Sequence, residues 1–359
     1  MALRIVAASL LAIAVAGLAP VTSDAVVQRT IVRTPRSLIS MDSDGRWVAW
    51  RVTVPVGEAR VPCNAVRLLR IGTARVHRIT RCTGAEWGTR VSVDAGTVFW
   101  NRRLLGGQSC CDTIVDDRLG GVPGRPRWFA EAERTIECGG VSLGSQAARG
   151  AVFAFARATW SITGPMPDEG CGHTQPGDTI SGGSVSLVGA SRTPVPLVGS
   201  PASLLVAVDR GRVALVPYAL HPGVAGEPGA AANVQVWTIG SGAPPVSIAV
   251  TAPPTALALT RSVLAVVVAG RVERYDAATG AWLGPSAALP GATLLLTARG
   301  GTIVYAGSRT IAAMNAATGA GHVVALTRRR PGAIAIGAGR VVWSITSARG
   351  SSIHVARLG

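Results

Sequence analysis

The sequence predicts an all-β fold, a seven-bladed β-propeller whose last blade is closed by the N-terminal strand, on three observations. First, a strand-forming run follows a tight Gly or Arg turn seven times: DGRWVAW (44–50), AGTVFW (95–100), RGAVFAF (149–155), RGRVALV (210–216), RSVLAVV (261–267), GGTIVYA (300–306) and AGRVVWS (338–344). Second, each run is preceded by a short alternating strand, as in LISMD, RVSVD, LVAVD and AIAIG, and is followed after a variable gap by two more strand-like runs. Third, the last unit stops at SSIHVARLG with only a third strand, while VVQRTIVR (26–33) waits at the other end to supply the fourth. A four-strand unit repeated in this way is the signature of propeller blades, and closure by the first strand leaves no open sheet edge. A pair of β-sandwiches or a β-solenoid is the alternative architecture.

The elements follow in order. Met1 to Arg4 is a short basic start, Ile5 to Leu18 an unbroken run of apolar residues and Gly, and Ser23-Asp24-Ala25 a small-x-small cleavage pattern. Residues 1–25 therefore read as a secretory signal peptide, and 26–359 as one propeller domain of a secreted, extracellular or cell-envelope protein. No later stretch reaches 18 uninterrupted apolar residues, so no membrane-spanning helix is expected.

In a propeller the loop from second to third strand shares a face with the link between blades. Four such loops are expected to be long: 56–64, 105–112, about 158–183, and 219–233. The six cysteines, at 63, 82, 110, 111, 138 and 171, all fall in these loops or in links, so all six are expected on one face. Their even number suits an oxidising compartment, and the lack of a C-x-x-C pair argues against a zinc ribbon or thioredoxin-type site. The pairing that joins each long loop to its own outgoing link is Cys63–Cys82 and Cys111–Cys138, which leaves Cys110–Cys171 to join neighbouring blades.

Later in the chain the turns become regular. YDAATG (275–280) returns thirty-nine residues on as MNAATG (314–319). Asp276 and Asn315 can accept backbone N–H bonds two residues on, and Gly280 and Gly319 can take the positive φ that ends such a turn. These are expected to be hairpins between third and fourth strands. The stretch Asp276, Thr279, Gly280, Trp282 resembles the repeat of pyrroloquinoline-quinone-type (quinoprotein-like) propellers, and the fold-level likeness extends to WD-like repeats. The resemblance covers about 80 residues; in its second copy Asn315 replaces Asp and no Trp follows. It implies the fold rather than the cofactor. Certain quinoprotein dehydrogenases carry a vicinal disulfide beside their cofactor, and for Cys110–Cys111 the resemblance implies that alternative pairing.

Charge is the strongest functional hint. The formal net charge is +16, and all 35 basic residues are Arg. Without Lys, a Schiff-base lysine and a phosphate loop ending in Gly-Lys are excluded. Asp276 is the last acidic residue, and 277–359 carries eight Arg. Arg328, Arg329 and Arg330, in the link TRRRP, should face solvent on the loop-rich face and attract polyanions. Catalytic patterns are missing: there is no G-x-S-x-G and no H-E-x-x-H, and the five His are scattered. In PDEGCGHTQPGD (167–178), Asp168, Glu169, His173 and Asp178 are weak metal-ligand candidates; the plainer reading is a solvated loop.

Most of the nine Trp, including Trp50, Trp100, Trp237, Trp282 and Trp343, sit in strand patterns and are expected to pack between blades. Trp87, in a link, is a candidate exposed stacking residue. No aromatic ladder runs through the basic segments, so no nucleic-acid groove is indicated. These readings converge on a secreted, non-enzymatic binding scaffold without a cofactor. Its expected partner is an anionic cell-envelope polysaccharide or another envelope protein, and its contacts are Arg328, Arg329, Arg330 and Trp87. The alternative is a quinoprotein-like dehydrogenase or a propeller lyase.

Overall fold

The structure, a computed structural model, describes residues 28–358 apart from 58–60, 81–85, 88–89, 107–108, 119–126, 136–138, 163–177, 190–192, 220–228, 287–288 and 290. The expected signal peptide lies outside the described residues, as do Cys82, Cys138, Cys171, Asp168, Glu169 and His173. The described residues are all-β, and no helix among them is long and apolar enough to cross a membrane.

Each regular sheet is a four-strand antiparallel meander. One runs Ser203–Asp209, Arg212–Pro217, Asn233–Thr238, Val246–Ala249; the next Ala256–Leu259, Val263–Val268, Arg271–Asp276, Trp282–Pro285; a third Leu295–Arg299, Thr302–Ala306, Thr310–Asn315, Gly321–Leu326. Their second strands are buried on both faces because sheets stack against each other. In Val263–Val268, Leu264, Val266 and Val268 pack with Val216, Val234 and Val236 of the sheet before. Val263, Ala265 and Val267 pack with Ile303, Tyr305 and Met314 of the sheet after. The two-residue side-chain period thus sends alternate residues into two different cores, and such a strand reads as a continuous apolar run.

The closing sheet joins both ends of the chain. Arg29–Thr34 pairs antiparallel with Gly350–Arg357, which pairs with Arg340–Ser347 and then Pro331–Gly337. The register places Arg33 opposite Ser352 and Thr34 opposite Ser351. On the inner side, Pro331–Gly337 meets the turn at Asp44–Gly45 backbone to backbone. A Cβ on Gly337 would lie 2.0 Å from the Asp44 carbonyl carbon, so only Gly fits there. The Arg340 guanidinium donates to Gly45 O at 2.8 Å across this contact. Met41, Val48, Trp50 and Val52 pack with Val342, Ile353 and Val355 to fill the seam.

The expected count of seven separate blades is corrected. By hydrogen bonding, the described residues form six β-paired units: five sheets and an isolated bridge between Tyr218 and Ala230. Four of the sheets are four-stranded, and residues 38–196 form one thirteen-stranded sheet.

The physical reason lies in strand length. Trp47–Val56, Val61–Arg70, Thr97–Gly106 and Ser109–Arg118 each run ten residues, and Gly139–Arg149, Val152–Ile162 and Asp178–Val188 eleven. Strands in the three regular meanders run four to seven. Ten residues span roughly 33 Å, long enough to meet the neighbouring hairpin and pair with it. Arg134 pairs with Gly140 and Thr135 with Gly139. The two-residue strand Glu86–Trp87 pairs parallel with Cys63 on one side and antiparallel with Arg103 and Leu104 on the other.

The loop assignment of the cysteines is corrected with it. Cys63 lies in a strand opposite Val54, and Cys110 and Cys111 lie in a strand opposite Leu105 and Leu104.

Candidate functional site

A cleft of about 750 Å³ lies against the closing sheet. Its floor comes from side-chain alternation: Trp343, Ile345 and Ser347 share one face of Arg340–Ser347, and Ser352 and His354 come from the adjacent strand. Trp343 is buried and stacks on His354, with ring centroids 5.5 Å apart and planes 17° apart. The His354 ring is held on both sides: Thr30 Oγ1 lies 3.2 Å from Nδ1, and Ser352 Oγ 2.8 Å from Nε2. Burial first, and then the Arg33 guanidinium, hold His354 below the usual imidazole value of 6.5. The floor is therefore an uncharged, locked aromatic pair at neutral pH.

The rim is charged. Arg33 comes from the N-terminal strand, Arg349 from the Ser347–Gly350 turn, and Arg328 and Arg329 from the link into the closing sheet. All four are exposed. Among the described residues, no Asp or Glu lines the cleft and no ion pair involves these four. Arg330 is exposed beside them but does not line the cleft. The link and the turn from second to third strand share this rim, as the connectivity predicts. Arg33 and Arg349 were missed by sequence reasoning, although pairing the first strand with SSIHVARLG implied that they would meet.

A second, central cavity of about 210 Å³ is lined by inner strands from around the ring, through Asp42, Ser92, Gln146, Arg149, Leu257 and Thr297 among others. It is smaller than the roughly 300–1,000 Å³ usual for small-molecule sites. Ion pairs tie the inner strands together. Arg149 reaches Asp42 at 3.5 Å, and Arg299 reaches Asp94 at 2.9 Å. Asp42 also accepts the Val93 N–H and Asp94 the Ala151 N–H. Burial pushes Asp209 above the ordinary carboxylate value, opposed by the Arg210 N–H and by Arg149, Arg210 and Arg299. No sequence signal foretold these pairs, since their partners lie 107 and 205 residues apart.

The paired turns are hairpins, as their residues predict. Asp276 Oδ1 accepts the N–H groups of Ala278 and Thr279, both at 2.8 Å, which hold its carboxyl below the usual range. Asn315 Oδ1 accepts from Ala317 and Thr318, both at 3.0 Å. Asp276 Oδ1 and Asn315 Oδ1 are thus committed to their own turns. Trp282, expected in a core, is 63% exposed on an outer edge strand; Trp50, Trp100 and Trp343 are fully buried. Trp87 stands in the short connecting strand, and its side chain lies outside the described residues, as do those of Cys110 and Cys111. Cys63 is buried and disulfide-bonded. Among the described residues no group of three His, Cys, Asp or Glu is placed to hold a metal.

No protein-family model matches the chain, and no curated protein matches it. Solved structures do. The β-propeller domain of the Trilobed protease from Pyrococcus furiosus is 11% identical with a TM-score of 0.57, over 91% of this chain and 97% of that one. A chain of a Mitotic Checkpoint Complex is 11% identical with a TM-score of 0.55, over 99% of this chain and 100% of that one. The computationally designed Ika8 protein is 13% identical with a TM-score of 0.52, over 91% and 98%. At such identities the likeness defines the class, a β-propeller, and nothing narrower. The quinoprotein-like and WD-like resemblances stay at the level of the fold.

Proposed function

We propose that this β-propeller is a secreted, non-enzymatic binding scaffold that takes an anionic cell-envelope polymer, or an acidic envelope protein, at the arginine-rimmed cleft. One observation carries the reading: guanidinium groups from three separate segments line one cleft that, among the described residues, no carboxylate lines. Arg is always charged and offers a planar fork that binds carboxylate, phosphate or sulfate in bidentate fashion. The secretory leader expected at residues 1–25 supports a location where such polymers occur. The likeness to a chain of a Mitotic Checkpoint Complex supports a scaffold role by analogy of fold alone.

The test replaces Arg328, Arg329 and Arg330 together by Ala and measures binding to anionic and neutral polysaccharides at two salt concentrations. The expected outcome is binding to anionic members only, weakened by salt and by the substitutions. Equal affinity of the triple variant would overturn the assignment.

A further inference from the structure

Resting on the reading that this cleft binds an anion, we propose that its ligand carries two or more oxyanion groups and that binding it holds the propeller ring shut. The cleft is built across the closure. Arg33 stands on the first strand and Arg349 on the last hairpin, and only the pairing of Arg29–Thr34 with Gly350–Arg357 brings them to one rim. That joint has no slack: Gly350 has φ +117°, and a Cβ there would lie 2.1 Å from Thr34 O. A ligand engaging Arg33 and Arg349 together therefore tethers the two ends of the fold. If the ring opens, the site ceases to exist.

The chemistry of the rim sets the ligand class. Most of the lining hydroxyls are already committed: Thr30 and Ser352 to His354, Ser347 to Gly350 O, Thr34 to the Arg36 N–H, and Ser351 to the Leu38 N–H and Thr346; the Thr327 hydroxyl, buried without a partner among the described residues, is the exception. Recognition of charge falls to the guanidiniums, each suited to one bidentate oxyanion. At about 750 Å³ the cleft is far larger than a single phosphate or sulfate, and its arginines come from three separate segments of the chain, so a ligand with several anionic groups can engage more of them than one small anion. A short run of phosphate or carboxylate groups is such a ligand. Because such a ligand binds the closed ring and not the unfolded chain, mass action makes it stabilise the fold.

The experiment uses the full chain with two probes, tripolyphosphate and a galacturonic-acid hexamer, and a neutral maltohexaose control. Calorimetry gives affinity and thermal unfolding gives stability. Two double variants are compared, Arg33→Gln with Arg349→Gln, and Arg328→Gln with Arg329→Gln. Either probe binding the wild type identifies its oxyanion source, and that probe should raise the unfolding temperature. Each double variant should bind about tenfold more weakly or worse, the loss expected from one charge-assisted bond or more. Unliganded unfolding temperatures close to wild type show that both variants fold. If the first pair binds as wild type while the second does not, the cleft binds anions but closure is not involved, and the proposal fails alone. Binding with no rise in unfolding temperature overturns it in the same way. No binding of either probe at low salt sinks both the proposal and the reading beneath it.

Discussion

A single guanidinium shows how the repeated turn is held. Arg274 is buried and donates to Ala316 O at 2.9 Å, Ala317 O at 3.1 Å and Leu283 O at 2.9 Å, so it ties its own hairpin to the turn of the next sheet. Gly319 sits over it at φ +77°, and a Cβ there would lie 2.4 Å from Arg274 Nη2. Gly319→Ala should cost about 1–3 kcal/mol, from left-handed strain and a displaced buried guanidinium. Gly300, at φ +60° with open space around it, is the control, and its Ala variant should cost about 1 kcal/mol or less. Denaturant midpoints of both variants decide this.

His354 gives a residue-scale pH dependence. Its folded value lies below the unfolded 6.5, so the unfolded state takes up the proton first. Stability present above pH 6.5 is lost as pH falls through the folded value. Denaturant unfolding at pH 7.5 and pH 5 should show a wild-type loss that His354→Gln reduces. The need for Gly at 280 and 319 was legible in the sequence, because a turn shows in its own residues. Arg274 was not, since its partners lie 9, 42 and 43 residues away.

The long hairpins separate what an element's sequence reveals from what it hides. The strand-forming cores, such as WVAW and FAFA, carry apolar patterning because neighbouring sheets cover them. Their extensions carry residues that read as turns: Pro55 faces Pro62, and Val56 faces Val61 around Gly57. Backbone pairing continues there although side-chain patterning stops, so the sequence marked these stretches as loops and hid the thirteen-stranded sheet. Cys63 lies where the strand Glu86–Trp87 joins two hairpins. Cys63→Ser should lower stability by about 2–5 kcal/mol, read by denaturant unfolding, and the wild type should lose a similar amount under reducing agent. An unchanged midpoint in both would separate the disulfide from the stability of this sheet.

At the scale of the whole molecule, closure is the decisive contact. The sequence exposed it through an unmatched strand at each end, and the structure places the pairing at 29–34 against 350–357. It did not expose how closely the inner seam meets. Gly337→Ala pushes a methyl group into the Asp44 backbone and should cost about 1–3 kcal/mol or more. A thermal melt of this variant tests the seam, and a small effect would mean that the ring can relax there. The ion pairs of the central cavity also act across the whole ring. Arg299→Ala strands Asp94, a buried carboxylate left with the Ala151 N–H, and should destabilise by about 3 kcal/mol.

The closing sheet also fixes how the protein answers to force. Arg29 pairs with Val355, so the start of the first strand and the finish of the last lie side by side at the same end of one sheet. A pull applied between those ends loads the hydrogen-bonded pairs one after another rather than all at once. The molecule would peel from Arg29 toward Thr34, and the ring would come undone like a zip, beginning at its own clasp.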